Sequence, residues 1–170
     1  MAALVAIPVG VVVERVKAES QWIDYIWQPS AVLVGEPEAN PWTALSGDDD
    51  RMSFYAGSTV VEFYASETAH YRDNLIGDCK LWIVMAPTES DPPYQLTKVT
   101  ADPAEGESYT ETGVNLVEAV PMPDAIRDAL VAFVSAHHVK DTTFFKRARD
   151  RADPEALGRR SPIDRRRGND

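Results

Sequence analysis

Ile7-Pro8-Val9-Gly10-Val11-Val12-Val13-Glu14-Arg15-Val16 is the stretch from which the fold class is read. Three valines in a row after a glycine are stiff at χ1, and such side chains suit a pleated sheet better than a helix. The run predicts a buried first strand over 7–16. Upstream, Met1 to Val13 is apolar throughout and carries no positive charge before Arg15. A signal peptide has a basic start, and a bilayer span needs a longer run, so neither is expected. A cytoplasmic location follows as the expectation.

Working outward, further short extended segments recur. Residues 22–27 and 31–34 read as one strand with an irregularity at Pro29. Gly35 to Asn40 is a loop. Ser53 to Tyr55 and Val60 to Tyr64 flank Ala56-Gly57-Ser58-Thr59, a pattern that predicts a hairpin. Thr68 to Ile76 makes a short helix that Gly77 ends. Leu81 to Ala86 is an interior strand, and Tyr94 to Val99 is another. Asp102-Pro103-Ala104-Glu105 places an N-cap, a first-turn proline and an acid where a capping box wants one, and that helix stops near Gly113. After Pro123, the residues Ile126, Leu130, Phe133, Val134 and His137 fall on one helical stripe. The expected class is α+β: a single mixed, mainly antiparallel sheet with two or three short helices, the helix of 126–133 covering one face.

Composition bounds the rest. The chain has 170 residues, 44% of them hydrophobic, which is enough for one good core. One cysteine, Cys79, excludes an internal disulfide and a thiolate metal cage. Charge is divided unevenly. From Lys140 to Asp170 there are ten basic and six acidic residues, a net of +4; the first 139 residues hold seven basic and twenty-one acidic, a net of −14. The organisation expected is an α+β domain over 1–139 and a basic tail over 140–170. Within the tail, Phe144 to Arg151 can form two helical turns before Pro154, and Gly158 to Asp170 has almost nothing to bury and is expected to be disordered when alone. The tail is either a solvated end or a docking element. Docking is preferred, because arginine favours bidentate pairing and two phenylalanines are costly to leave exposed. Its candidate contact residues are Phe144, Phe145, Lys146, Arg147, Arg149 and Arg151.

No catalytic motif emerges. Glu67-Thr68-Ala69-His70 has the Glu-x-x-His spacing of carboxylate-bridged di-iron bundles, but those need a second copy and two further glutamates. It reads as a short solvated helix. His137-His138 could join His70 at a metal, yet adjacent histidines point to different sides of a helix, so a helix C-terminal role is preferred. Asp48-Asp49-Asp50 lacks the spacing of a calcium loop and reads as a solvated turn. Cys79 has no histidine near it in sequence and reads as structural. There is no glycine-rich phosphate loop and no nucleophile elbow. No metal and no cofactor is expected. Trp22, Tyr25, Trp27 and Trp42 crowd one short region; they read mainly as core, with a partly exposed binding anchor as the alternative.

Several blocks carry a family resemblance. Ile7 to Arg15, Trp22 with Trp27-Gln28-Pro29, and Pro41-Trp42 come first. Glu67-Thr68, Tyr71-Arg72, Asn74-Leu75 and Val120-Pro121-Met122-Pro123 follow. His137-His138-Val139, Phe145-Lys146-Arg147 and Asp150 to Leu157 complete the set. In this order they resemble the DUF3305 family of uncharacterised proteobacterial proteins. The resemblance implies an accessory role, since such proteins are typically encoded beside molybdenum-dependent formate dehydrogenases and their chaperones. It supplies no catalytic residue.

The expected function is therefore a non-catalytic accessory or interaction protein. Its partner would be a formate dehydrogenase subunit or a maturation factor of that enzyme, with no membrane contact. Two alternatives stand beside it. Nucleic-acid binding by the tail is the weaker, because a body at −14 repels phosphate. An enzyme of molybdenum cofactor maturation would require a polar pocket that the sequence alone does not show.

Overall fold

The computed structural model describes residues 3–35 and 37–137. The expected tail helix of 144–151, the disordered end, the boundary at Val139 and all six tail docking residues lie outside this range. The chain divides into two compact units, Met1–Ala132 and Phe133–Asp170. In the second, residues 133–137 are helical, and the Phe133 and His137 ring centroids lie 4.4 Å apart with the planes tilted by 40°.

The first unit is α+β, as its sequence predicts, but the strands form two sheets rather than one. Strands β1 (Val5–Lys17), β2 (Tyr25–Val34), β3 (Thr43–Gly47) and β4 (Arg51–Phe63) make a four-stranded sheet in the order β2-β1-β4-β3. A 3₁₀ turn (Ala65–Glu67) and α1 (Thr68–Ile76) lead out of it. Strands β5 (Lys80–Pro87), β6 (Tyr94–Thr100) and β7 (Leu116–Pro121) form the second sheet, in the order β6-β5-β7, with α2 (Pro103–Thr110) between β6 and β7. Helix α3 starts at residue 124. Every strand pair is antiparallel. The single mixed sheet is thus corrected. The 3₁₀ turn and α1 carry the chain away after Phe63, and the later strands then pair only around β5. β4 runs beside β6, and β2 beside β7, without a hydrogen-bonded ladder, so the two sheets nearly close on each other.

The valine run works as its sequence implies. Val9, Val11 and Val13 point to one face and are fully buried, as are Val61 and Phe63 of β4 and Leu81, Ile83 and Met85 of β5. The close approach of Tyr55 explains Gly10, where a Cβ would sit 2.8 Å from the Tyr55 ring. On α3, Ile126 and Leu130 are fully buried, in line with the apolar stripe.

The predicted hairpin at Ala56–Thr59 is a single bent strand. Both flanks pair with β1 rather than with each other: Val11 lies opposite Gly57 and Val12 opposite Tyr55, which leaves Ala56 as the extra residue of a bulge. Gly57 takes φ +136°, so the glycine signal serves a bulge instead of a turn. A matching irregularity in β2 leaves out Ser30, between Pro29 and Ala31, at the place the sequence suggests. Among the described residues, no helix is long and apolar enough to cross a membrane.

Candidate functional site

Two places on the first unit carry more chemistry than packing requires. The first is at the far end of the four-stranded sheet. Strands β1 and β4 run thirteen residues each, whereas β5, β6 and β7 have six to eight. The second sheet reaches β4 near Gly57, where a Cβ would lie 4.0 Å from Leu96 Cδ2. Beyond that level the buried face of β1 continues from Val13 to Arg15. Arg15 lies opposite Trp27 and Met52, and Val13 opposite Phe54.

An aromatic cluster occupies this overhang. Trp27, Trp42 and Phe54 have ring centroids 5.7, 5.8 and 6.2 Å apart, in edge-on and tilted arrangements. The Arg15 guanidinium lies 4.2 Å from the Tyr25 ring centroid and 5.3 Å from that of Phe54, a cation–π arrangement. Trp42 takes a left-handed backbone at φ 69°, a strained state for a bulky residue, and donates its amide to Tyr55 O. The three clustered rings are only half-buried. Nearby, Trp22 is 84% exposed and Ile23 53%. The core expected of these aromatics is not what forms: Trp27 and Trp42 pack on each other but stay half-buried, and Trp22 is exposed. The acids Asp48 to Asp50 form the β3–β4 turn, where Asp48 Oδ1 accepts the amides of Asp50 and Arg51.

The second place lies at the other end of β4, where the 3₁₀ turn, α1 and the start of α2 meet. Asp102 is the N-cap its sequence predicts: its Oδ1 accepts the amides of Ala104 at 2.9 Å and Glu105 at 3.3 Å. The reciprocal capping-box bond is replaced by a relay. The Asp102 amide donates to Thr100 Oγ1, which donates to Glu105 Oε1 at 2.6 Å. Lys98 pairs with Glu105 at 3.3 Å. Burial opposes the charge on Lys98, but Glu105 outweighs it and the net shift of its pKa is upward.

His70 stands over this cap. Its Nδ1 lies 3.1 Å from both carboxylate oxygens of Asp102 and 3.2 Å from Glu67 Oε1. The Asp102 hydrogen bond raises the His70 pKa above its ordinary 6.5, with burial opposing and the charges of Asp102, Glu67 and Asp73 assisting. A cavity of about 500 Å³ opens beside it, lined by Tyr64, Ser66, Glu67, Tyr71, Asp102 and Glu105. Burial pushes the Tyr71 hydroxyl up to about 12, and that hydroxyl accepts the Tyr64 amide.

The cluster is held by Asn74. This buried amide donates to Lys80 O at 2.8 Å and Ala101 O at 2.9 Å, and accepts the Lys80 amide at 2.9 Å. It therefore locks the end of α1 to the residue preceding Asp102. The sequence singles out Glu67 and His70 but gives no sign that Asp102 joins them across 32 positions. The acid at a predicted N-cap is the one signal available. Cys79 is half-buried, its pKa raised by burial, with its Sγ 3.8 Å from Met122 Sδ.

A family model described as "Protein of unknown function (DUF3305)" matches residues 8–149, and the chain belongs to that family. No curated protein matches the chain, and no solved structure does.

Proposed function

We propose that this protein is a non-catalytic accessory factor that docks another protein through the aromatic overhang of its four-stranded sheet. One observation carries the reading: Trp27 and Phe54 continue the core face of β1 towards the end of the four-stranded sheet, Trp42 packs edge-on against both, and all three remain half-buried. Rigid aromatic anchors with a guanidinium among them are the residue types that dominate binding hot spots. Arg15 and Trp42 are already fixed by their neighbours, which lowers the ordering cost of association.

The partner proposed is a component or maturation factor of a molybdenum-dependent formate dehydrogenase, met in the cytoplasm. Support for that identity comes from the family resemblance. The basic segment from Lys140 onward, with Phe144, Phe145, Lys146, Arg147, Arg149 and Arg151, adds a second contact on an acidic part of the same partner. The body's charge of −14 over 1–139 argues against nucleic acid as that partner.

The test is affinity capture of formate dehydrogenase components from the native organism grown on formate. Trp27→Ala is expected to weaken capture by about 2–4 kcal/mol, the range of a buried aromatic anchor, at low and high salt alike. Truncation after residue 139 is expected to slow association and weaken its salt dependence. Full capture by a correctly folded Trp27→Ala, Trp42→Ala double variant overturns the reading.

A further inference from the structure

We infer that Glu67, His70 and Asp102 form a mononuclear site for a first-row divalent metal ion, with its remaining coordination positions open to the adjoining cavity. The donor set is one imidazole nitrogen and two carboxylates. Such a mixed set favours manganese, iron, cobalt, nickel or zinc over magnesium and calcium, which prefer oxygen alone.

The donor atoms already converge. One ligand atom from each of the three residues lies within 4.8 Å of the others. The Nδ1 separations of 3.1 Å from Asp102 and 3.2 Å from Glu67 are the ones that decide the fit. With metal–ligand bonds of about 2.1 Å, neighbouring ligands in an octahedron are about 3.0 Å apart and those in a tetrahedron about 3.4 Å. The His70 contacts fall between these limits, and the third separation, between the Glu67 and Asp102 oxygens, lies within 4.8 Å and is set by side-chain rotation as an ion enters.

Each carboxylate is oriented by a bond on its other oxygen, the second-shell arrangement of metal sites. Asp102 Oδ1 is held by the Ala104 and Glu105 amides, which fixes the carboxylate with both oxygens 3.1 Å from His70 Nδ1 and leaves Oδ2 free of the cap. Glu67 Oε2 accepts from Ser66 Oγ at 2.9 Å, which leaves Oε1 towards His70. Two carboxylates neutralise the ion. The start of α2 carries a partial positive charge of about half a unit, which opposes a cation. Two full negative charges outweigh it, and the Asp102 cap already occupies those amides. A di-iron bundle needs two Glu-x-x-His copies; a mononuclear site needs one copy and a third ligand, and the N-cap of α2 provides it.

The site lies outside the docking surface, so its test stands apart from partner capture. Chelator-treated full-length protein is titrated with Zn²⁺ and Mn²⁺ by calorimetry near pH 7.5. One saturable site per chain is expected. His70→Ala and Glu67→Gln are each expected to weaken it at least tenfold, in line with the loss of a direct ligand. Asp102→Asn keeps an oxygen for the cap and so keeps the fold, and it is expected to weaken the site as well. A His137→Ala, His138→Ala variant is expected to bind as the wild type does. The inference is overturned if neither ion saturates a site, or if binding survives His70→Ala unweakened, whatever the His137, His138 variant does.

Discussion

Asn74→Leu is the most direct probe of what holds the two helices and the second sheet together. Asn74 is 4% exposed and makes three hydrogen bonds, two to carbonyl oxygens and one from an amide. Leucine has similar volume, so it fills the space, keeps water out and leaves Lys80 N–H, Lys80 O and Ala101 O without partners. A buried polar group left unsatisfied costs about 1–3 kcal/mol, and the added apolar burial offsets part of the sum. A net loss of about 4 kcal/mol follows. For a chain of this size, each kcal/mol moves Tm by about 2–4 °C, so the expected drop is roughly 12 °C. Thermal unfolding followed by circular dichroism reads it directly. Asn74→Ala opens room for a bridging water and is expected to lose about half as much. A drop under about 3 °C for Asn74→Leu would refute the claim that these bonds hold the junction.

Three further predictions follow from neighbouring contacts. A Cβ at Gly106 would lie 2.3 Å from Trp82 Cγ and 2.6 Å from its Cβ. Gly106→Ala is therefore expected to destabilise by about 2 kcal/mol in denaturant titration, because a clash of up to about 3 exceeds the helix-propensity gain of about 1. Asp102→Ala removes the α2 cap and is expected to cost about 1–2 kcal/mol, while Asp102→Asn loses less. In chelator-treated protein, the folded His70 pKa is raised above its unfolded value, so the stability it contributes is complete below about pH 6.5 and is lost as pH rises through the folded value. His70→Gln is expected to remove that part of the pH dependence of Tm, and an unchanged profile would count against the raised pKa.

The elements legible in the sequence are those whose signals are local. Thr68 to Ile76 before Gly77 is the α1 of the structure, and Asp102 caps α2 through its own side chain as predicted. Pro29 marks the irregularity of β2 for a reason that lies within the strand. What was misread depends on partners distant in sequence. Ala56-Gly57-Ser58-Thr59 has hairpin composition, and only the pairing of both flanks with β1 makes it a bulge. β3 and β7 are short, and β7 runs straight into Pro121, so neither has the alternation that marks a strand. The candidate metal cluster was half legible for the same reason. Glu67 and His70 share a helical turn, whereas Asp102 reaches them only because α2 begins beside α1, with Asn74 bonded to Ala101.

The two candidate places lie towards opposite ends of β4, and that separation fixes what each can explain. From Phe54 in the aromatic cluster to Tyr64 at the cavity edge is ten residues, at most roughly 33 Å, since β4 bends at its bulge. Substitutions more than about 10 Å apart with no shared partner act additively. Filling the metal site therefore cannot change the aromatic surface by direct contact, and Trp27→Ala cannot disturb the ligands of an ion. An accessory factor that docks at one end and holds a metal at the other could present that metal to a bound partner only if the partner spans the length of β4. A partner confined to the overhang would leave the metal with a role in the stability of the α1–α2 junction. Partner capture by wild type and His70→Ala, each with and without added Zn²⁺, separates these cases: equal capture throughout assigns the metal to stability, and a Zn²⁺-dependent gain confined to the wild type assigns it to docking.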